Sequence, residues 1–136
     1  MRTKIICSLF ILFFLSGCKK EPQYERYENH TISACGINDP LKNIEWLNIY
    51  CKNNLKAYFI EIYIYENTDT KENYFVIYTL NEDSENYQIN VFSCSNELLF
   101  HWNAGTSPSP QYTTFFSNKK EICKIWSVKE IIEQSL

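Results

Sequence analysis

Between residues 56 and 102 the chain lays down four runs of β-branched and aromatic residues, joined by short polar connections. The runs are KAYFIEIYIYE (56–66), NYFVIYTL (73–80), NYQINVFS (86–93) and LLFHW (98–102). Such composition, bounded by NTDTKE, NEDSE and CSNE, is that of strands closed by turns. A parallel pair needs a crossover of about a dozen residues, so connections this short force antiparallel neighbours. The first run alternates: Ile60, Ile62 and Ile64 fall on one face, while Phe59, Tyr63 and Tyr65 flank Glu61 on the other. A four-stranded antiparallel meander is expected, with ICKIW (122–126) as a short fifth strand.

Upstream, CGINDPLKNIEWLNIYC carries helical spacing at Leu41, Ile44, Trp46 or Leu47, and Cys51. Asp39 before Pro40 reads as an N-cap followed by proline at the first helical position, which predicts a helix over 40–53. Downstream, residues 103–121 read as one long loop with Tyr112, Phe115 and Phe116. Ser127 and Glu130 have capping-box spacing, which predicts a terminal helix through Leu136. The expected fold class is α+β: an N-terminal helix packed on a four- or five-stranded antiparallel meander, stapled by disulfides.

The chain begins with Arg2 and Lys4, then runs without a charge from Ile5 to Leu15. That run of 11 residues makes a helix of about 16 Å, half the hydrocarbon thickness of a bilayer. A basic start, a short apolar run and small residues before a break form a secretory signal. The break is LSGC (15–18), which resembles the lipobox of bacterial lipoproteins. The resemblance implies cleavage after Gly17 and acylation of Cys18, hence a partner in the lipid bilayer. It also implies a membrane-anchored, extracytoplasmic protein of the outer membrane, on its periplasmic face or at the cell surface. Residues 1–17 are then the signal, 18–34 a polar lipidated tether, and 35–136 a single domain. The remaining 119 residues carry 11 basic and 16 acidic side chains, a net charge of −5 without a basic stripe. That balance argues against nucleic acid as a partner.

With Cys18 acylated, Cys35, Cys51, Cys94 and Cys123 form an even set, as expected of two disulfides in an oxidising compartment. A helix between Cys35 and Cys51 would hold their ends about 16 Å apart, so a local bridge is strained. The expected pairs are therefore Cys35–Cys94 and Cys51–Cys123.

CGINDPLKNIEWL (35–47) resembles the CG-x-x-[ND]-P-x-x-x-x-x-W-L opening of a family of small bacterial lipoproteins of unknown function. VFSCSNELLFHW (91–102) resembles that family's VYDCDGN-VICEF hairpin, and KIW (124–126) its LIW close. Asn96 stands at the hairpin glycine, and Asn103-Ala104 replaces a Gly-Gly. The resemblance implies a small extracytoplasmic domain with a helix and an antiparallel sheet, and no known activity.

No catalytic constellation stands out. His30 falls in the tether, and His101 lies on the last strand without a nucleophile at a recognisable spacing. Asn67, Asp69 and Glu72 lack the turn glycine and ligand set of a calcium loop, so neither a metal nor a cofactor is expected. What remains is a polar-aromatic surface. Tyr63 and Tyr65, with Gln111 and Tyr112 of the long loop, would suit a protein or glycan ligand if the second sheet face is open. If Phe115 and Phe116 seal that face, the loop is a lid. The expected function is a non-enzymatic binding or interaction lipoprotein. The alternative is an inhibitor of an envelope or host hydrolase, with SPSPQY (107–112) as the inserting element.

Overall fold

The computed structural model describes residues 20–133, so Cys18 and the signal segment lie outside the described residues. In chain order the elements are β1 (Gln23–Glu28), β2 (Ser33–Ala34), β3 (Ile37–Asn38), α1 (Pro40–Asn43), α2 (Glu45–Asn53) and β4 (Phe59–Asn67). They continue with β5 (Asn73–Leu80), β6 (Gln88–Phe92), β7 (Leu98–Asn103), α3 (Pro110–Phe116) and β8 (Lys119–Ile131). Among the described residues no helix is long and apolar enough to cross a membrane.

The fold is α+β, with one six-stranded sheet in the order β1-β8-β4-β5-β6-β7, antiparallel at every pairing. The four central runs form as expected, and β5 occupies residues 73–80 in full. Two expectations at the edges are corrected together. The terminal segment does not open a helix at Ser127; it belongs to a 13-residue strand, β8, inserted between β1 and β4. Trp126 and Val128 are two residues apart, so they share one face of the strand, and both are almost fully buried. Burying that pair outweighs a capping box, since a full-sized apolar side chain contributes roughly 1.5–3 kcal/mol.

The second correction follows from the first. Residues 23–28, expected to be tether, pair along β8 from Gln23↔Ile131 to Glu28↔Trp126. A polar segment can take this place because it is an edge strand, where charges blunt the open side. Tyr24 packs against the core, and the Arg26 guanidinium donates to the Leu55 carbonyl at 2.8 and 3.1 Å.

The expected single N-terminal helix over 40–53, packed on a four- or five-stranded meander, is also corrected. The helical segments are short, of four and nine residues, and Ile44 breaks them with an extended backbone (φ −93°, ψ 107°). Asp39 does not cap with its side chain; it has a left-handed backbone (φ 48°) and turns its carboxylate to His30 instead. Leu41, Ile44, Leu47 and Cys51 share one buried cluster with Ile60, Ile62, Ile64, Phe75, Ile77, Ile125, Trp126 and Val128.

Candidate functional site

The second sheet face was the expected recognition surface, and most of it is covered. Val76, Ile89 and Val91 form its buried floor. Over them lies α3, which replaces part of the expected 103–121 loop. Ser109 caps it by accepting from the Tyr112 amide at 3.2 Å, and Pro110 takes the first turn. Its three aromatics interlock with the sheet: Tyr112 with Trp102 (4.5 Å between ring centres), Phe115 with Tyr74 (5.3 Å) and Phe116 with Tyr65 (5.5 Å).

The four residues expected to form a recognition surface are therefore not gathered into an open site. Tyr112 and Tyr65 are half-buried within the lid contact, and Gln111 is exposed on α3. Tyr63 packs edge-on against Tyr78 and donates to Glu61 at 2.9 Å. Burial first, then the bond to Glu61, raises the Tyr63 phenol pKa. Burial and the contact with Tyr78 do the same for Tyr65. These phenols stay neutral and structural.

The disulfide Cys35–Cys94 is present, with Cα atoms 5.9 Å apart. The expected Cys51–Cys123 bridge is not: both are free thiols. Counting cysteines does not force closure where the thiol is withdrawn from solvent. Burial pushes the Cys51 pKa up to about 12, and oxidation proceeds through the thiolate. Cys123 shifts in the same direction, chiefly through burial.

His30 is held rather than loose. Its Nδ1 lies 2.8 Å from Asp39 and its Nε2 2.9 Å from Glu28. The bonds to Glu28 and then Asp39 raise its pKa. With both ring nitrogens facing carboxylates, the doubly protonated ring is favoured, and an imidazolium so engaged has no lone pair to act as a base. His101 faces the Asn90 side-chain oxygen at 2.7 Å.

Concave surface is found at both ends of the sheet. At one end the start of β1, the end of β8 and the start of β4 enclose a groove of about 690 Å³, with a second hollow of about 360 Å³ beside it. At the other end a cleft of about 460 Å³ lies against the disulfide. Its walls are Cys35 and Gly36, residues 70–74 of the β4–β5 turn, and residues 93–95 of the β6–β7 turn. The cleft is rigidly built. The Asn67 side-chain oxygen accepts from the amides of Asp69 (2.9 Å) and Thr70 (3.1 Å), which folds the turn. Asn73 accepts from the Cys35 amide at 2.8 Å, and the Trp46 indole donates to the Cys94 carbonyl at 3.0 Å. Cys35, Lys71 and Asn96 all hold positive φ (59°, 65° and 68°), a conformation that costs non-glycine residues and persists where the surroundings impose it. Thr70, Lys71, Glu72, Asn73, Ser93 and Ser95 present hydroxyls, an amide and charges of both signs, and the Lys119 ammonium sits over the Tyr74 ring nearby (5.2 Å).

Sequence reading missed this cleft because its walls come from turns far apart in the chain. The paired positions Cys35 and Cys94 were the signal that brings them together. No protein-family model, curated protein or solved structure matches the chain.

Proposed function

We propose that this protein is a lipid-anchored, non-enzymatic binding lipoprotein of the cell envelope, with the disulfide-framed cleft as its recognition site. The observation that carries the reading is the arrangement of ends. β1 runs from Gln23, near the segment that would carry the acylated Cys18, and the β4–β5 and β6–β7 turns close the opposite end. A nine-residue strand such as β4 separates the two ends by about 26 Å. The cleft is thus presented away from the anchor. The Cys35–Cys94 bridge supports an oxidising, extracytoplasmic setting. A wall of hydroxyls, amides and mixed charges suits a polar ligand, either a glycan or a polar loop of a protein.

The test is capture of envelope components by the acylated protein and by two variants with one exposed residue changed in each. Ser95→Arg, which fills the cleft, is expected to abolish capture, and Gln111→Arg on the lid helix is expected to leave it intact. The reverse result would move recognition to α3. If the captured partner is a hydrolase whose activity falls on binding, the inhibitor reading replaces that of a neutral binding module.

A further inference from the structure

We propose that the anchor end of the sheet is itself a lipid-docking surface, which seats the domain end-on in the interface of the bilayer holding Cys18. The inference rests on the lipidation reading and adds an orientation to it. Chain length is the first argument. Of the expected tether of residues 18–34, residues 23–28 form β1, and Lys20 is already placed beside Glu133 at 2.9 Å. Only Lys19 separates Cys18 from Lys20, and two residues reach at most about 7 Å. The headgroup layer on one side of a bilayer is itself about 5–8 Å deep. A domain so closely held cannot keep this end out of the interface.

The second argument is what that end carries. Ile132 is 65% exposed, Ile131 47% and Tyr87 41%. They stand around the groove with Tyr58, Phe59 and Leu80. Isoleucines flanked by tyrosines are the composition of an interfacial contact, where a ring has one apolar side and one wet end. Charge narrows the lipid class. Glu21, Glu25, Glu82, Glu130 and Glu133 rim the two hollows against Lys20 and Lys129, so an anionic surface would repel this end and a zwitterionic one would not. Docking is therefore apolar insertion, not electrostatic adhesion.

The experiment uses the full acylated protein in phosphatidylcholine vesicles whose lipid tails carry bromine, a contact quencher of indole fluorescence. Indoles are introduced by Ile132→Trp at the anchor end and Asp69→Trp at the exposed far turn, with the signal of the parent's own Trp46, Trp102 and Trp126 subtracted. An interfacial seat about 5–10 Å deep is expected to quench Ile132→Trp at least about twofold more than Asp69→Trp. Replacing part of the phosphatidylcholine with phosphatidylglycerol is expected to reduce that difference. Equal quenching at both positions with Cys18 acylated overturns docking alone, whether the domain tumbles freely or the groove holds the protein's own acyl chain or another protein. The mass of the N-terminal peptide from the same sample reads the anchor separately. An unmodified Cys18 overturns the lipidation reading and this proposal with it.

Discussion

The ring of Tyr112 lies 4.5 Å from that of Trp102 and 4.6 Å from that of Phe116, which makes it a tie between α3 and the far edge of the sheet. A residue in that position is part of the packing. Tyr112→Ala removes half-buried area and three ring contacts, with Trp102, Phe116 and Phe100, each aromatic pair being worth about 0.5–1.5 kcal/mol beyond its area. We expect a loss of about 2 kcal/mol in the urea unfolding free energy. Gln111→Ala, one residue away and exposed, is expected to stay within about 0.5 kcal/mol. Equal and negligible changes would mean that α3 does not seal the face.

Reduction of the Cys35–Cys94 bridge is the next test. Cys35 and Cys94 are 59 residues apart, and closing a loop of that size stabilises by about 4 kcal/mol in the chain-entropy treatment. We expect Cys35→Ser to lower the unfolding free energy by about 2–4 kcal/mol and to loosen the cleft. Alkylation in denaturant without reductant is expected to modify Cys51 and Cys123 and to leave the bridged pair untouched. In the native protein Cys51 should react far more slowly than Cys123, since it is the more deeply buried. A 51–123 cross-link in peptide mapping would restore the second disulfide.

The β4–β7 meander was legible because its alternation and turns are local properties of the chain. What failed at the edges failed for one shared reason. QYERYE has no apolar face of its own, and becomes a strand only because β8 lies beside it. SVKE has helical spacing, and becomes a strand only because Trp126 and Val128 complete the core. Each depended on the other, so misreading one hid both. The lid was half legible: Phe115 and Phe116 marked a covering segment, while Ser109-Pro110, the same grammar read at Asp39-Pro40, went unused as a helix start. At Asp39 that grammar misled, since the carboxylate had a stronger partner in His30. The cleft was illegible, because turns meet across a sheet whose register no single stretch encodes.

Removal of the first strand separates a tether from a structural element. A chain beginning at Asn29 would lose Tyr24 from the core and both Arg26 bonds to Leu55, and would leave the full length of β8 as an open edge. Open apolar edges pair with other chains. We expect the shortened protein to unfold at lower urea and to self-associate in sedimentation, whereas removal of residues before Pro22 should change neither. A shortened form as stable and monomeric as the parent would return residues 23–28 to the tether.

His30 gives the last expectation, with a sign that can be worked out in advance. Its folded pKa is raised above the ordinary 6.5, first by the bond to Glu28 and then by that to Asp39. The charged ring therefore stabilises the fold fully below pH 6.5, and that contribution disappears as pH rises through the folded pKa. Desolvation opposes the charge in part, and Lys42 and Lys52 line the same shallow hollow. Both the imidazole and Glu28 are about half exposed, so solvent and salt weaken the clamp further. His30→Gln should abolish the pH dependence and leave the fold intact. The measurement is the difference in urea midpoint between parent and variant. It should be largest near pH 6 in low salt and shrink both toward pH 8 and in about 1 M salt. A difference that stays flat across that range would mean the three residues are neighbours without being coupled, and that the backbone pairing of Asn29 with Ile125 alone fixes the end of β1.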